Sequence, residues 1–321
     1  MTTHLRRRSF VLALLVGIGA LSIAVGHAQQ NVIDIRLEKV KDNLYLVTGG
    51  RASPTQGGIS GVTTIFVSAS DVVVIDTKYP GFGNRILEQV KSVTPRPVTM
   101  IVNTHTHGDH TGSNSEFPAS VVVVAHENTK ANMARMDAFK GDKAAFLPKR
   151  TFGDRLSLFA GKDRMELYYF GRGHTNGDTV IAFPALRTVV MGDLFARRWA
   201  PLVDANNGGS AVEYPQTLSK ALTTLKDVDT VITGHSTTQV GSGNTVSFVR
   251  SNPVMTWADL QEYRDFTRAF VEAAEAARKV GRTADEAAAS LGLPEKYKGY
   301  DMANAKADVQ RVYDELAATR R

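Results

Sequence analysis

The sequence has 321 residues and contains no cysteine. A chain without cysteine has no disulfide, no thiolate nucleophile and no cysteine-ligated zinc finger. Any metal ion must therefore be held by histidine nitrogens and carboxylate oxygens, a ligand set that suits zinc, iron, manganese or cobalt. Low-complexity tracts and fixed-period repeats are also absent. The content of 43% hydrophobic and 22% charged residues is ordinary for a globular protein.

A clustered basic stripe is missing as well, although the formal net charge is +6. Three of the positive charges are Arg6, Arg7 and Arg8, which stand together near the start of the chain. The remaining mild positive charge is compatible with an anionic small-molecule substrate. It does not form the concentrated basic face that nucleic-acid binding requires, so no nucleic-acid partner is expected.

The first thirty residues have the pattern of a secretory leader. The three arginines precede the apolar run FVLALLVGIGALSIAV, and small residues stand before Gln29. This pattern predicts a signal peptide over residues 1–28, cleaved after Ala28, and a periplasmic or secreted protein. The apolar run has about 16 residues, against roughly 20 for a membrane span. We therefore expect no stable membrane anchor once the leader is cleaved, with an uncleaved anchor as the alternative. Arg7-Arg8-Ser9-Phe10-Val11 also resembles a twin-arginine signal, which exports folded proteins.

Residues 29–251 alternate between predicted strands and helices. Runs rich in β-branched residues, such as LYLVTG, VTTIFVSA and VVVIDT, predict strands separated by turns. Residues 81–93 predict a helix, because Ile86, Leu87 and Val90 are spaced to form one buried face. The alternation continues in the second half, with helices predicted over 127–139 and 218–225. This order predicts an α/β layered domain in which helices cover sheets.

Residues 252–321 differ in character and predict a helical C-terminal extension. Residues 257–280 are rich in alanine and charged residues, with apolar side chains at helical spacing. Thr283 and Glu286 form a capping-box signature for a further helix, and a last helix is predicted over 301–321. The extension is expected to pack on the core or on a partner subunit, and the sequence leaves the oligomeric state open.

The stretch NTHTHGDHTGSN, residues 103–114, directly follows a predicted strand. It contains His105, His107, Asp109 and His110, with Gly108 expected to let the backbone bend. A single histidine usually does no more than hydrogen-bond its surroundings. Four such groups concentrated in one loop have little reason to converge unless they surround a cation. The stretch therefore predicts a metal site.

Three further residues extend this set, and each follows a glycine at the end of a predicted strand: His174, Asp193 and His235. Together the seven residues are enough for two metal ions. We predict one ion on His105, His107 and His174, a second on Asp109, His110 and His235, and Asp193 between them. A bridging carboxylate suits the separation of roughly 3.5–4 Å found in two-metal hydrolases.

The HxHxDH motif and the downstream order of His, Asp and His resemble the metallo-β-lactamase fold superfamily. The resemblance extends from about Val32 to His235 and includes VIDT, AHEN and GDLF. It implies a four-layer αβ/βα sandwich with two divalent ions at one sheet edge, zinc being expected and iron or manganese being alternatives. It also implies that a hydroxide bridging the metals is the nucleophile, and we expect Asp109 to orient it.

The resemblance leaves several activities open. True β-lactamases of the family usually carry Cys or Ser where this chain has Asp193, and an aspartate there is more similar to glyoxalase II and lactonases. The interpretation is an exported hydrolase of an ester, thioester or lactone, with β-lactam hydrolysis as the alternative. An alternative of another class is a mononuclear iron persulfide dioxygenase, which uses only two histidines and an aspartate. His107 also disfavours the oxygen-reducing members of the family, which have glutamate there.

Other residues are weaker candidates. Arg197 and Arg198 follow Asp193 and are candidates for binding a substrate carboxylate, or else a solvated pair. Asn206 and Asn207 are candidates for a substrate loop. Four polar residues are candidates for supporting the metal ligands: Thr104, Thr111, Asn114 and Asp76, the last being equally a turn cap. His126 is interpreted as a structural histidine.

Overall fold

The computed structural model describes residues 34–50, 59–240 and 247–318 of the chain. The predicted signal peptide and its cleavage point lie outside the described residues. Within the described ranges, none of the helices combines the length and apolar character needed to cross a bilayer.

Seven strands form the first sheet, side by side in chain order. They are β1 Arg36–Lys41, β2 Leu44–Thr48, β3 Thr63–Val67, β4 Val72–Ile75, β5 Met100–Val102, β6 Val122–His126 and β7 Arg150–Phe152. Neighbouring strands from β1 to β4 are antiparallel, and those from β4 to β7 are parallel. Parallel neighbours need crossover connections. The helix α1 Gly83–Val93 lies between β4 and β5, and the short helices α2 Gly108–Thr111 and α3 Glu127–Met133 follow β5 and β6.

The second sheet has six strands. It contains β8 Arg155–Leu158, β9 Met165–Tyr168, β10 Val180–Phe183, β11 Thr188–Val190 and β12 Thr230–Ile232. The hairpin of β13 Thr237–Val240 and β14 Ser247–Arg250 follows, and β15 Val254–Thr256 then joins the edge of the sheet beside β12. The helix α4 Tyr214–Thr224 connects the parallel strands β11 and β12.

The strands alternate between two cores. In β4, Val73 and Ile75 pack between the sheets, while Val72 and Val74 face the outer core that contains α1. A strand that is buried on both faces is a continuous apolar run, as VVVI is. A third core lies between the second sheet and the helices α4 and α5. The layers are therefore helix, sheet, sheet and helix, which confirms the predicted four-layer α/β sandwich.

The C-terminal extension consists of α5 Trp257–Lys279, α6 Ala284–Ala289 and α7 Ala305–Ala318. Both α5 and α6 begin with capping boxes, and the box at Thr283 and Glu286 confirms the sequence signature. Phe266 of α5 and Val309 of α7 belong to the same buried cluster as Val189 of the second sheet. The predicted extension therefore packs on the chain's own core. The domain boundary predicted at residue 252 stays a prediction. The strand β15 lies just beyond it and belongs to the second sheet.

Three predicted helix limits are wrong. The helix predicted over 127–139 ends at Met133, because Met136 has an extended backbone and 137–139 form a 3₁₀ turn. α4 begins at Tyr214 rather than 218, since Pro215 suits a first helical turn. The last helix begins at Ala305 rather than 301, because the main chain of Asp301 pairs with Trp199 instead. Residues 319–321 of this prediction lie outside the described part of the chain.

Candidate metal centre

The HxHxDH stretch lies at the carboxyl end of β5. His105 and His107 lie in the loop after the strand, and α2 carries Asp109 and His110. The main chain of α2 is fixed from two sides. The amide of Gly61 donates to the carbonyl of Asp109 at 3.0 Å, and that of Thr77 donates to the carbonyl of His110 at 2.7 Å. The four side chains are thus held by a short loop between a buried strand and a tethered helix.

The structure brings His105, His107 and His174 together. Their ring centroids are 4.6–4.9 Å apart, and one potential ligand atom from each lies within 4.8 Å of the others. The closest approach is 2.9 Å, between Nδ1 of His107 and Nε2 of His174. Three imidazoles at this spacing can surround one ion.

A second group consists of Asp109, His110 and His235. Oδ2 of Asp109 lies 3.4 Å from Nε2 of His110 and 3.4 Å from Nε2 of His235. The potential ligand atoms of this group also lie within 4.8 Å of one another. It has the same composition as the second ligand set predicted from the sequence.

Asp193 contacts residues of both groups. Its Oδ1 is 3.4 Å from Nε2 of His110, and its Oδ2 is 3.2 Å from Nε2 of His235 and 3.8 Å from Nε2 of His174. Asp193 also forms a potential metal-binding group with His105 and His110. The carboxylate therefore lies between the two groups.

Several atoms that face this centre are buried without a hydrogen-bond partner among the described residues. They include Nε2 of His105, Nε2 of His110 and Oδ1 of Asp193. A buried polar atom without a partner costs roughly 1–3 kcal/mol. Neutral imidazole nitrogens and carboxylate oxygens are suitable donors for divalent cations. The residues present therefore fit metal ions.

The ring nitrogens on the outer side of three histidines are occupied. Nδ1 of His110 lies 2.7 Å from Oδ2 of Asp76, and Nδ1 of His174 donates to the carbonyl of Leu202 at 2.6 Å. Nε2 of His107 lies 2.7 Å from Oδ2 of Asp204. An outer hydrogen bond fixes the ring orientation and leaves the other nitrogen free for a ligand role. For His110 and His174 that nitrogen is Nε2, and for His107 it is Nδ1.

Sequence reasoning missed Asp204. No fixed spacing connects it to the HxHxDH motif, and its contact with His107 exists only because the loop after Asp193 folds back over the site. The one available signal was the Asn206–Asn207 segment, which was placed near the site. In the structure Oδ1 of Asp204 accepts hydrogen bonds from the amides of Asn206 and Asn207, which gives this turn its shape.

Of the two roles that the sequence left open for Asp76, the structure shows the support of a candidate ligand. Its backbone has φ of +59°, and its carboxylate accepts hydrogen bonds from the amide and the hydroxyl of Thr104, at 2.8 and 2.6 Å. Its carboxylate also contacts the candidate ligand His110. Both partners lie far along the chain rather than in a local turn, so Asp76 takes the supporting role. The hydroxyl of Thr104 is also 3.0 Å from Nδ1 of His105.

The other supporting candidates bond to the loop itself. Thr111 donates to the carbonyl of His107 at 3.0 Å, and Asn114 donates to Oδ1 of Asn103 at 2.8 Å. His126 is a structural histidine as interpreted. Its Nδ1 accepts the amide of Asn128, and its ring stacks on another aromatic ring in the interior.

In the metal-free site, the histidines differ in the direction of their pKa shifts. Burial, followed by the proximity of His110, holds the pKa of His105 well below its usual value, and burial lowers the pKa of His174 to about 4. Burial also acts against a charged His110, but the carboxylates of Asp109 and Asp193 outweigh it and raise the pKa of His110 well above the ordinary value. His105 and His174 are thus neutral and ready to act as ligands at neutral pH.

Glycines allow the close approach around Asp193. A Cβ on Gly234 would lie 1.9 Å from Oδ1 of Asp193, and Gly192 has φ of +51° with Thr104 packed against it. Gly108, in contrast, is the first residue of α2, and an added Cβ there would meet nothing within 4 Å. The expectation that Gly108 provides a sharp bend is therefore not needed to explain the loop.

The weaker substrate candidates have distinct surroundings. Arg197 is half-buried with its guanidinium 5.3 Å from the ring of Trp199, which in turn lies 5.8 Å from the ring of His235. Arg198 points away to an ion pair with Asp259 of α5, at 2.5 Å.

The two asparagines belong to the turn beside Asp204. Asn207 donates to Oδ2 of Asp204 at 2.5 Å, and Asn206 is exposed. The asparagine turn thus lies beside the Asp204 carboxylate that contacts His107, whereas Arg197 is related to His235 only through Trp199, and Arg198 is paired with Asp259.

Sequence comparisons relate this chain to known proteins. A family model described as the metallo-beta-lactamase superfamily matches residues 57–235. The chain is 27% identical over 194 residues to a metallo-beta-lactamase type 2 of Elizabethkingia meningoseptica, which covers 59% of this chain and 72% of that protein. It is 34% identical over 126 residues to 2,4-dinitroanisole O-demethylase subunit alpha of Nocardioides sp. (strain JS1661), a match over 38% of this chain and 37% of that subunit.

Solved structures show the same fold. A metallo-beta-lactamase from Pontibacter korlensis superposes with a TM-score of 0.57 at 19% identity, covering 73% of this chain and 99% of that one. The DIM-1 metallo-beta-lactamase superposes with a TM-score of 0.55 at 19% identity, covering 73% and 97% of the two chains. Similarity at this level of identity concerns the fold.

Proposed function

The chain belongs to the metallo-beta-lactamase superfamily and is a metal-dependent hydrolase, and from this premise we propose that it is an exported enzyme with a two-metal centre that cleaves an ester, thioester or lactone. Zinc is the metal proposed for both positions. The position of Asp193 carries the two-metal part of the proposal, because its carboxylate lies within 4 Å of histidines from both candidate groups. A single ion would not require a second complete set of donors.

The donors divide between the two positions. His105, His107 and His174 would hold one ion, and Asp109, His110 and His235 the other, with Asp193 contributing to both. Bound divalent ions supply a nucleophilic water of lowered pKa at neutral pH and polarise a carbonyl oxygen.

Asp109 has a further role because it is less enclosed than Asp193, the other carboxylate of the centre. Its side chain is 15% exposed, whereas that of Asp193 is 3% exposed. Oδ2 of Asp109 can therefore accept a hydrogen bond from an entering water molecule and orient it. Burial alone would raise the pKa of Asp109, but His110 and His235 outweigh burial and lower it, so that the carboxylate is ionised and able to accept.

The substrate class rests on Asp193. An aspartate at this position resembles glyoxalase II and lactonases, which supports ester, thioester or lactone cleavage. β-Lactam hydrolysis is the second candidate, because a relative that covers well over half of this chain is named a metallo-beta-lactamase type 2. The second donor group, Asp109, His110 and His235, disfavours a mononuclear iron persulfide dioxygenase, because such an enzyme uses only two histidines and an aspartate.

The proposal is tested by combining metal analysis with a substrate panel. The purified protein would be assayed for bound metal and for hydrolysis of an aryl ester, a thioester, a lactone and a chromogenic cephalosporin, with and without a chelator. We expect about two metal ions per chain and chelator-sensitive turnover of the first three substrates in preference to the cephalosporin. Fast cephalosporin turnover would replace the substrate class, and one iron per chain with oxygen uptake would overturn the two-metal hydrolase.

Export is tested separately. The predicted leader spans residues 1–28, so the full chain would be expressed in a bacterial host and its location and N-terminal residue determined. A mature N-terminus at Gln29 in the periplasm is expected. Cytoplasmic protein that retains Met1 would contradict the export part of the proposal without affecting the chemistry.

A further inference from the structure

We propose that the helical C-terminal extension is a positioning element of the active site, which clamps the loop of residues 197–212 against the histidines, with Glu315 as the main positioning residue. The proposal rests on the metal centre proposed above. We call residues 197–212 the clamp loop.

The clamp loop contacts three candidate ligands. The carbonyl of Leu202 accepts the hydrogen bond of His174 at 2.6 Å, and the carboxylate of Asp204 lies 2.7 Å from Nε2 of His107. The ring of Trp199 lies 5.8 Å from that of His235. The loop thus touches histidines of both groups, although it supplies no ligand itself.

The extension holds the beginning of the clamp loop. The amide of Ala200 donates to the carbonyl of Asp301 at 2.8 Å, and the amide of Asp301 donates to the carbonyl of Arg198 at 3.0 Å. The side chain of Arg198 forms an ion pair with Asp259 at the start of α5. Two elements of the extension therefore fix the segment on either side of Trp199.

The extension also holds the end of the clamp loop, through Glu315 of α7. The carboxylate of Glu315 accepts hydrogen bonds from the hydroxyl of Ser210, from the amide of Ala211 at 2.8 Å and from the amide of Val212 at 3.4 Å. Hydrogen bonds to an ionised carboxylate are stronger than neutral ones. Glu315 comes from more than a hundred residues further along the chain, so these contacts exist only when α7 is docked.

The middle of the clamp loop is hydrogen-bonded to Arg172 and Asn176 of the α/β domain, not to the extension. The amide of Asn176 donates to the carbonyl of Asn207 at 2.9 Å, and Arg172 donates to the carbonyl of Gly208 at 2.7 Å. The clamp loop, which carries Leu202 and Asp204, is therefore held in the middle by the α/β domain and at both ends by the extension. Loss of the end contacts is expected to loosen the outer hydrogen bonds of His174 and His107. Loss of such outer contacts typically lowers metal affinity about 10- to 100-fold.

The test compares Glu315→Ala with Asp314→Ala, because Asp314 is the neighbouring, exposed acid of α7 and bonds to Gln310 on the same helix. Cobalt(II) is titrated into the metal-free protein while its visible absorption is recorded. Hydrogen exchange of peptides from residues 197–212 is measured in parallel. For Glu315→Ala we expect at least tenfold weaker cobalt binding at one position, an altered absorption band and faster exchange in the clamp loop. Asp314→Ala should behave as the wild type.

The outcomes separate this proposal from the proposed function. If the wild type binds no cobalt, the metal centre itself fails. If the wild type binds cobalt and Glu315→Ala binds it with the same affinity and spectrum, the positioning role is overturned. Should Glu315→Ala not fold, Ser210→Ala removes one of the same hydrogen bonds from the other side. It is expected to give a smaller change of the same kind, and no change in it would count against the clamp.

Discussion

Asp109 is the side chain on which the proposed chemistry depends most. It lies between His110 and His235 and is partly exposed, so it can contact both a metal ion and a water molecule. We expect Asp109→Asn to lower kcat at least about a hundredfold, the usual scale for a positioned acid-base group. The free energy of unfolding of the metal-free protein should change little. Turnover of the best substrate and urea unfolding would be measured, with exposed Asp142→Asn as the control. An Asp109→Asn enzyme with wild-type kcat would contradict the role.

Gly234 is the residue whose replacement should harm the centre without removing any donor. An added Cβ would lie 1.9 Å from Oδ1 of Asp193, so either the carboxylate or the β12 loop must move. We expect Gly234→Ala to lose bound metal and most activity. Gly108→Ala is the matched control within the HxHxDH stretch, because its Cβ would meet nothing within 4 Å. Metal content after dialysis, measured for both variants, checks this. Equal metal content in the two would show that the Asp193 contact is not restrictive.

Lys78 is a fully buried cation beneath the site, and burial lowers its pKa to about 7. Its ammonium group donates to the carbonyls of Gly49 and Gly61, at 2.9 and 2.6 Å. The unfolded chain, with a lysine pKa of about 10.4, binds more protons than the folded chain between pH 7 and 10. This group therefore makes stability rise with pH in that window, by up to about 1.4 kcal/mol per pH unit.

Lys78→Met should lack this dependence. The free energy of unfolding of the variant is expected to fall progressively further below that of the wild type as pH rises from 7 to 10. Denaturant unfolding of chelated protein at several pH values measures the difference. Exposed Lys91→Met serves as the control. Parallel profiles for wild type and Lys78→Met would show that Lys78 titrates normally.

At the residue scale, the sequence predicted which side chains converge and some of the residues that support them, such as Asp76 and Thr104, but not the contacts made by distant loops. The candidate ligands follow glycines or lie in one short motif at strand ends, and strand ends of neighbouring strands share an edge. Leu202, Asp204 and Lys78 act through main-chain carbonyls or through a loop that folds back. Such contacts depend on the tertiary path of the chain and leave no spacing in the sequence.

Among the elements, α7 carries a buried carboxylate that opposes its own docking. Burial raises the pKa of Asp308 to about 8, and its Oδ2 has no hydrogen-bond partner among the described residues. Between about pH 4 and pH 8 the folded chain therefore binds more protons than the unfolded chain. Stability is fully present below this window and is lost as pH rises through it.

Asp308→Asn should remove this loss. We expect the variant to be more stable than the wild type at pH 8 and above, and close to it at pH 4. Thermal unfolding across this range would test the expectation, with exposed Asp314→Asn as the control on the same helix. A variant that is less stable than the wild type at every pH would mean that the carboxylate has a partner which the amide cannot replace.

The strands and helices themselves were predictable to different degrees. VVVI is a run of β-branched residues that favours a strand, and it forms β4 as predicted. The start of α7 was not predictable, because residues 301–304 have no helix-breaking sequence. The main-chain pairing of Asp301 with the segment beside Trp199 decides that limit. β15 was missed for a similar reason, since three residues become a strand only where β12 offers an open edge.

For the whole molecule, removal of metal should reduce stability without dividing the fold. The centre contains buried polar atoms that have no hydrogen-bond partner in the described part of the chain. A ligand that binds only the folded state stabilises a protein according to its concentration and affinity. We expect a chelator to lower the unfolding temperature by several degrees, and zinc to restore it. The helices α5 and α7 share a core with the second sheet, so calorimetry should show one transition in both forms. A separate low-temperature transition would indicate that the extension unfolds independently.

The division of the candidate ligands between the two sheets affects the rates of folding and unfolding rather than the equilibrium between them. His105 and His110 follow a strand of the first sheet, whereas Asp193 and His235 follow strands of the second. The centre is therefore complete only after the sheets have docked, and ion capture becomes a late step of folding. Conversely, a bound ion would have to lose its ligands from one sheet before the sheets separate, which would slow unfolding. A chain exposed to proteases survives according to that rate when cleavage outpaces refolding. The cofactor would then set the lifetime of the protein as well as its chemistry.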